Sequence, residues 1–287
     1  MNDFKTDKDL IVIQQLLNYS QQTLSEKLKI GRASFNRWKS NQTEISYSHL
    51  ETIYDFAFRN NIRLNKIKEQ LCREDCSGKN EIILFHGAKT NIEGKISVSK
   101  SKDDNDFGKG FYCGQTLEQS AMFVANYPKS SLYILSFNEN RDLKNFKFNV
   151  DRDWMLAISY FRKKIKKYEN SKIIKNILKK IKNADYIIAP IADNRMFQII
   201  DEFIEGQITD VQCQHCLSST NLGLQYVFVT EKSLKNIKIL HHCYLANAEK
   251  EYYLKNRQQE TKIGNDKVKI AKKQYRGKGL YIDEILK

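Results

Sequence analysis

Two short stretches hold the residues whose types and spacing suit chemistry. Leu84–Thr90 reads LFHGAKT, an apolar run that ends in His86 and Gly87. About twenty residues later, Asp106–Phe123 reads DFGKGFYCGQTLEQSAMF. Here a Gly-Lys-Gly turn enters a short strand ending in Phe111 and Tyr112, and a helix follows with Ser120 and Ala121 on one face. A histidine offers hydrogen bonds, a glycine lets a ligand approach the backbone, and a tyrosine ring offers a face for stacking. The Gly-Lys-Gly run is not a phosphate loop, because no Gly-Lys-Ser/Thr follows at the required spacing. Taken one at a time, His86, Tyr112 and Phe123 would serve core packing equally well, and Gly108 and Gly110 a plain turn. Their joint order and spacing point instead to a built pocket.

Two other groups carry chemistry. Ala192–Met196, ADNRM, follows a strong strand pattern, where sites tend to form on the next loop. Arg195 suits a pyrophosphate or a target group, while Asp193 or Asn194 would equally serve as a helix N-cap. Cys213, His215 and Cys216, with His241, His242 and Cys243 25 to 27 residues beyond Cys216, are the ligand types of a zinc site. The first group reads as helix and the second as strand, so no metal is expected.

Those residues belong to a chain of 287 residues, long enough for two domains with their own cores. No apolar run reaches membrane-spanning length, and MNDFKTDKDLIVIQQ lacks the basic start and cleavage site of a signal peptide. Six cysteines without such a signal read as cytoplasmic thiols. The net charge of +14 is uneven: residues 151–185 hold eleven basic side chains against four acidic, and residues 249–287 hold eleven against six. This suits a nucleic-acid partner or, equally, a solvated lysine-rich surface.

Residues 9–70 read as helical, with Leu10, Ile13, Leu16 and Leu17, then Leu24 and Leu28, then Leu50, Ile53, Phe56 and Ala57 at helical spacing. From Glu81 the pattern alternates: EIILFHG, GFYCG, SLYILSFN, FKFNV, ADYIIAPIA, LQYVFVT and LKNIKILHHCYL read as strands. Trp154–Lys182, MFQIIDEFIEG and Glu249–Lys273 read as helices. The expected class is α+β, with an all-α domain over residues 1–71, a linker over 72–80, a split antiparallel sheet domain over 81–248, and a basic helix and tail over 249–287. The end of the tail, YRGKGLYIDEILK, would dock on the sheet domain, a partner or an acidic polymer.

The run Gln21–Asn41, QQTLSEKLKIGRASFNRWKSN, resembles a repressor-type helix-turn-helix. In that geometry the second helix enters the major groove and presents Arg32, Ser34, Asn36, Arg37 and Lys39, with Asn36 and Arg37 suited to base edges and Arg32 and Lys39 to phosphates. Phe35 and Trp38 would pack inward. Duplex binding favours a homodimer; the same unit could instead make protein contacts.

LFHGAKT followed by FGKGFYCGQTLEQSAMF is similar to the nicotinamide-binding half of the ADP-ribosyltransferase superfamily, in the His-Tyr-Glu branch of the poly-ADP-ribose polymerases. Residues 84–245, including ADYIIAPIADNRMF and LQYVFVT, resemble more closely a bacterial family of uncharacterised domains, DUF3990, placed in the same superfamily. The resemblance implies that NAD is the co-substrate. It implies that His86 bonds the adenosine ribose, that Gly87 and Ser120 hold the carboxamide, that Tyr112 stacks on the nicotinamide and that Phe123 closes the sandwich.

The third motif departs from the pattern. Gln225 stands where the superfamily has a glutamate, and an amide keeps a hydrogen bond but not the charge. Glu231 and Asp193 are acids that could substitute, ranked below Gln225. With His86 and Tyr112, Gln225 is the catalytic candidate. The resemblance implies a mono-ADP-ribosyltransferase acting on a protein or nucleic acid, with a toxin or anti-phage role and an inhibitor protein as a partner, in the cytoplasm and away from membranes. Two alternatives stand beside it: a DNA-binding regulator that senses NAD or ADP-ribose, and an NAD glycohydrolase.

Overall fold

The computed structural model describes residues 4–192, 194–220 and 222–287, without the side chains of Asn194 and Arg195. Five helices come first: α1 (Thr6–Leu16), α2 (Gln21–Lys27), α3 (Arg32–Lys39), α4 (Tyr47–Arg59) and α5 (Leu64–Asp75). The alternating region follows as β1 (Glu81–Ala88), β2 (Phe111–Gly114), α6 (Leu117–Val124), β3 (Ser131–Asn138), β4 (Asn145–Lys147), α7 (Arg152–Phe161), α8 (Lys172–Ile181), β5 (Tyr186–Pro190), α9 (Asn194–Ile204), α10 (Asp210–Ser218), β6 (Leu224–Phe228), α11 (Glu231–Leu234) and β7 (Ile237–Tyr244). The long α12 (Asn247–Gln274) and the short α13 (Ile282–Leu286) end the chain. The class is α+β: N-terminal helices, then a mixed, mostly antiparallel sheet of seven strands in the order β4-β5-β6-β2-β1-β3-β7. Among the described residues no helix is long and apolar enough to cross a membrane.

The chain divides into two compact units. The first gathers the chain up to Asn91, Leu117–Ser136 and Ile239–Lys255. Its helices form where the apolar spacing demands: Leu10, Ile13, Leu24, Phe35, Leu50, Ile53 and Ala57 meet in one core. Ser20 caps α2 by accepting from the Thr23 N–H at 3.0 Å, and Ser46 caps α4 in the same way through His49. Lys29, at φ 55°, turns the chain between α2 and α3. Phe35 and Trp38 are buried, as their spacing predicts. Helix α5 runs on to Asp75 and buries Cys72, so the chain is still helical in the first part of the polar stretch 72–80. A second core joins Ile83, Phe85, Leu117, Ala121, Val124, Leu132, Ile134 and Cys243.

The second unit holds Ile92–Thr116, Phe137–Lys238 and Asn256–Lys287. Trp154, Met155 and Ile158 of α7, Ile174 and Ile177 of α8, and Ile199, Ile200 and Phe203 of α9 build its core. The stretch Trp154–Lys182 is not one helix. It breaks after Phe161, where Lys163 takes a left-handed φ of 61°, and helix resumes at Lys172 behind the Ser171 cap. The tail docks here: Ile282, Ile285 and Leu286 join the core, and the Asp210 carboxylate accepts from the Leu280 N–H at 2.8 Å. An apolar stripe on an otherwise polar tail is buried more cheaply against its own chain than left in water.

Candidate functional site

In the second unit, β2 pairs antiparallel with β6 so that Tyr112 faces Val227 and Gly114 faces Gln225. On the other side of β6, Ala189 of β5 faces Gln225 and Pro190 faces Leu224. Because side chains alternate along a strand, Tyr112, Gly114, Gln225, Val227, Ile187 and Ala189 share one sheet face. Gln225 is therefore flanked by the two smallest side-chain types, glycine and alanine. Tyr112 packs its ring against the core of this unit. Its hydroxyl donates to Gly108 O at 2.8 Å and accepts from the Phe107 N–H at 3.0 Å. Gly108 sits at φ 72°, which a glycine adopts without strain. The turn thus holds the tyrosine ring in place, and burial pushes its phenol above the ordinary range.

Gln225 is 6% exposed. Its Nε2 donates to Asp106 Oδ2 at 3.0 Å and to Pro190 O at 3.1 Å. The other oxygen of Asp106 accepts from Arg162, from Nη2 at 2.6 Å and from Nε at 3.0 Å. The Arg162 guanidinium lies 3.3 Å from the centre of the Phe197 ring. Asp106 and Arg162 were not singled out as site residues by the sequence. Asp106 follows Asp103 and Asp104 in sequence, and its place at the mouth of the Gly-Lys-Gly turn is the signal that could have found it.

Four candidates lie in the first unit. His86, on β1, is half-buried, with its ring centroid 6.4 Å from that of Tyr133. Tyr133 in turn stacks on His242 at 4.5 Å. Ser120 is buried and donates to Phe85 O at 3.0 Å, tying α6 to β1. A Cβ on Gly87 would stand 2.5 Å from Ser120 O and 2.9 Å from Val124 Cγ1. The close packing of α6 on β1 is thus enough to require a glycine there, whatever a ligand adds. Phe123 is 64% exposed.

On α3, Arg32, Asn36 and Arg37 are exposed, while Ser34 and Lys39 are half-buried. Lys39 donates to Gln14 Oε1 at 3.0 Å, so its charge is partly committed within the helical bundle. Glu231 accepts from Ser97 Oγ at 2.9 Å and from the Val98 N–H at 3.1 Å, which occupies it in holding a surface turn. Asp193 and the side chains of Asn194 and Arg195 lie outside the described residues. Cys213 and Cys216 are buried thiols that donate to Ile199 O and Val268 O. Among the described residues no group of three or more His, Cys, Asp or Glu stands close enough to hold a metal ion.

A family model for proteins of unknown function, DUF3990, matches residues 82–239, more than half of the chain. The chain belongs to the DUF3990 family. The DUF3990 match begins in β1 and ends in β7, so it holds His86, Gly87, Asp106, Tyr112, Ser120, Arg162 and Gln225, while helices α1–α5 and α12–α13 lie outside it. No curated protein and no solved structure matches the chain.

Proposed function

We propose that this chain is an NAD-dependent mono-ADP-ribosyltransferase acting on a macromolecule. The observation that carries this reading is the shared sheet face of Tyr112, Gly114 and Gln225: a fixed aromatic ring, a bare backbone and a buried polar group at the ends of adjacent strands. Cleaving the nicotinamide–ribose bond passes through a cation with oxocarbenium character. The ring of Tyr112 stacks on the nicotinamide, and Gln225 accepts a hydrogen bond from the nicotinamide ribose. An acceptor nucleophile on the target attacks C1′, nicotinamide leaves with the bonding pair, and the acceptor's proton passes to solvent water. Glutamine lacks the charge of the superfamily's glutamate, which slows the step by about 10²–10³. Single transfers rather than chain building follow from that deficit. The exposed Arg32, Asn36 and Arg37 of α3 make a nucleic acid the favoured acceptor class.

Incubating the full chain with NAD and cell extract, and following nicotinamide release and adduct mass, tests the reading. Wild type should release nicotinamide and label a macromolecule. A wild type no faster than the His86→Ala, Tyr112→Ala double variant would defeat it.

A second reading is a regulator that binds NAD without turnover. It is favoured by the absence of charge on Gln225, whose amide donors are both spent on Asp106 and Pro190. Tight NAD binding, no product and an NAD-dependent change in duplex affinity would support it. Free ADP-ribose without adducts would instead make water the acceptor, as in a glycohydrolase.

A further inference from the structure

We infer that Asp106 is the positioning residue of Gln225: it fixes the glutamine amide so that only the carbonyl oxygen is presented, and it supplies from behind the amide the negative charge that the glutamine lacks. This rests on the NAD reading of the same site.

The orientation of the amide follows from its partners. Asp106 Oδ2 and Pro190 O are both acceptors, and both lie within 3.1 Å of one end of the Gln225 amide. Only the nitrogen of the amide can meet two acceptors. Its two protons are thereby consumed, and among the described residues Oε1 takes no hydrogen bond. Gln225 then offers an acceptor and no donor, which is what a ribose hydroxyl needs from the glutamate it replaces.

The charge follows from the same bond. An amide N–H that donates to a carboxylate is polarised, and electron density moves toward its carbonyl oxygen. Asp106 is buried, 8% exposed at its side chain, so water screens this effect little. Arg162 holds the far oxygen of Asp106 and keeps the carboxylate aimed. The near oxygen is left for Gln225.

The arrangement also explains why glutamine stands here. A glutamate at 225 would set a second carboxylate about 3 Å from Asp106 and against Pro190 O, and two carboxylates so close do not both ionise. Asp106 and a glutamate at 225 are thus mutually exclusive ways of charging the site.

The test uses the full chain as wild type, Asp106→Asn, Gln225→Glu and the double exchange Asp106→Asn, Gln225→Glu. NAD affinity is read by calorimetry, nicotinamide release by steady-state rate against pH, and folding by thermal unfolding. Asp106→Asn should bind NAD within about 3-fold of wild type but turn it over about 10-fold or more slowly, because it acts on the transition state rather than on binding. Gln225→Glu alone should also be slower, with an ionisation in its pH profile that wild type lacks. The double exchange should be about 10-fold or more faster than either single variant and lose that ionisation. In nitrogen NMR the Gln225 side-chain amide protons should exchange slowly in wild type and quickly in Asp106→Asn.

An Asp106→Asn variant with wild-type turnover, or a faster Gln225→Glu, overturns the inference. So does a wild type whose Gln225 amide protons exchange freely, and that arm needs no NAD. A wild type that neither binds nor cleaves NAD defeats the NAD reading itself, and the catalytic part of the inference falls with it even if the amide is protected.

Discussion

Asp9 and Asp106 are both buried, and each faces a cation at 2.6 Å, yet their surroundings differ. Asp9 of α1 meets Lys68 Nζ of α5 and the Tyr54 hydroxyl of α4 on the same carboxylate oxygen, among the helices of the first unit. The side chains of Lys68 and Asp9 are 7% and 5% exposed. Burial, the largest single influence, would push Lys68 down, but the Asp9 charge and hydrogen bond together with Cys243 and Glu249 hold the lysine above its ordinary value. Tyr54 is pushed up, first by burial and then by Asp9. The Tyr54 hydroxyl makes its other bond to the buried Thr6 Oγ1 at 3.3 Å, so the network stays inside the core. Asp106 divides its oxygens: one is held by Arg162, whose side chain is 32% exposed, and the other by the amide of Gln225 between Gly114 and Ala189. A buried ion pair by itself therefore says little about function. What separates these two is whether the chain of hydrogen bonds ends in a sealed core or at a polar atom beside small residues.

The sharpest way to break this comparison is to remove each cation. Lys68→Ala leaves Asp9 buried and unpaired, which should cost about 3–5 kcal/mol in denaturant unfolding of the full chain. Arg162→Ala should cost less, about 1–2 kcal/mol, because its guanidinium already reaches water and Asp106 keeps Gln225. If Arg162→Ala were the costlier, Asp106 would be the structural pair and Asp9 the candidate for chemistry.

A second test concerns Glu249, buried in the first unit, where it accepts from Asn65 Nδ2 at 2.9 Å. Burial pushes its carboxyl up to about 7, against the lowering effects of Asn65 and Lys68. A raised carboxyl favours the folded state fully below its unfolded value near 4.5, and that stability is lost as pH rises through about 7. Wild type should therefore fall relative to Glu249→Gln by up to about 3 kcal/mol over that window. A difference between the two proteins that is flat with pH would show that Glu249 titrates normally.

Smaller effects sharpen the contrast. Gly87→Ala drives a methyl group toward Ser120 O and should cost about 1–3 kcal/mol, read by thermal unfolding. No loss would mean that α6 packs less closely on β1. Tyr112→Phe removes the two bonds that hold the ring in its turn and should cost about 1 kcal/mol. On the proposed NAD reading, its rate of nicotinamide release should fall by more than that cost explains if the ring is a stacking platform, and by no more if the tyrosine is only core.

Much of the scaffold is legible in the sequence. The apolar spacing of Leu10 and Ile13 or Leu50 and Ile53, and the strand runs around Phe85, Tyr112, Ile187 and Val227, are local patterns that local geometry obeys. The inward packing of Phe35 and Trp38 followed from the same rule. The break at Lys163 was not legible, because nothing in a run of lysines and isoleucines distinguishes a left-handed residue from a helical one. The reason for Gly87 was legible only in part: the residue was noticed for a ligand, and the packing of α6 supplies a sufficient reason of its own.

Residue order by itself determined the α+β class, the helical start, and the sequence of His86, Tyr112, Ser120 and Gln225 along the chain. Tertiary structure decided what Gln225 touches. Three aspartates stand together at 103, 104 and 106; Asp103 pairs with Lys163 in the open, while Asp106 is buried against a residue 119 positions away. Secondary structure is written in neighbours a few residues apart. The pairing of a buried charge depends on strand register and chain closure over more than a hundred residues, and no local pattern records it.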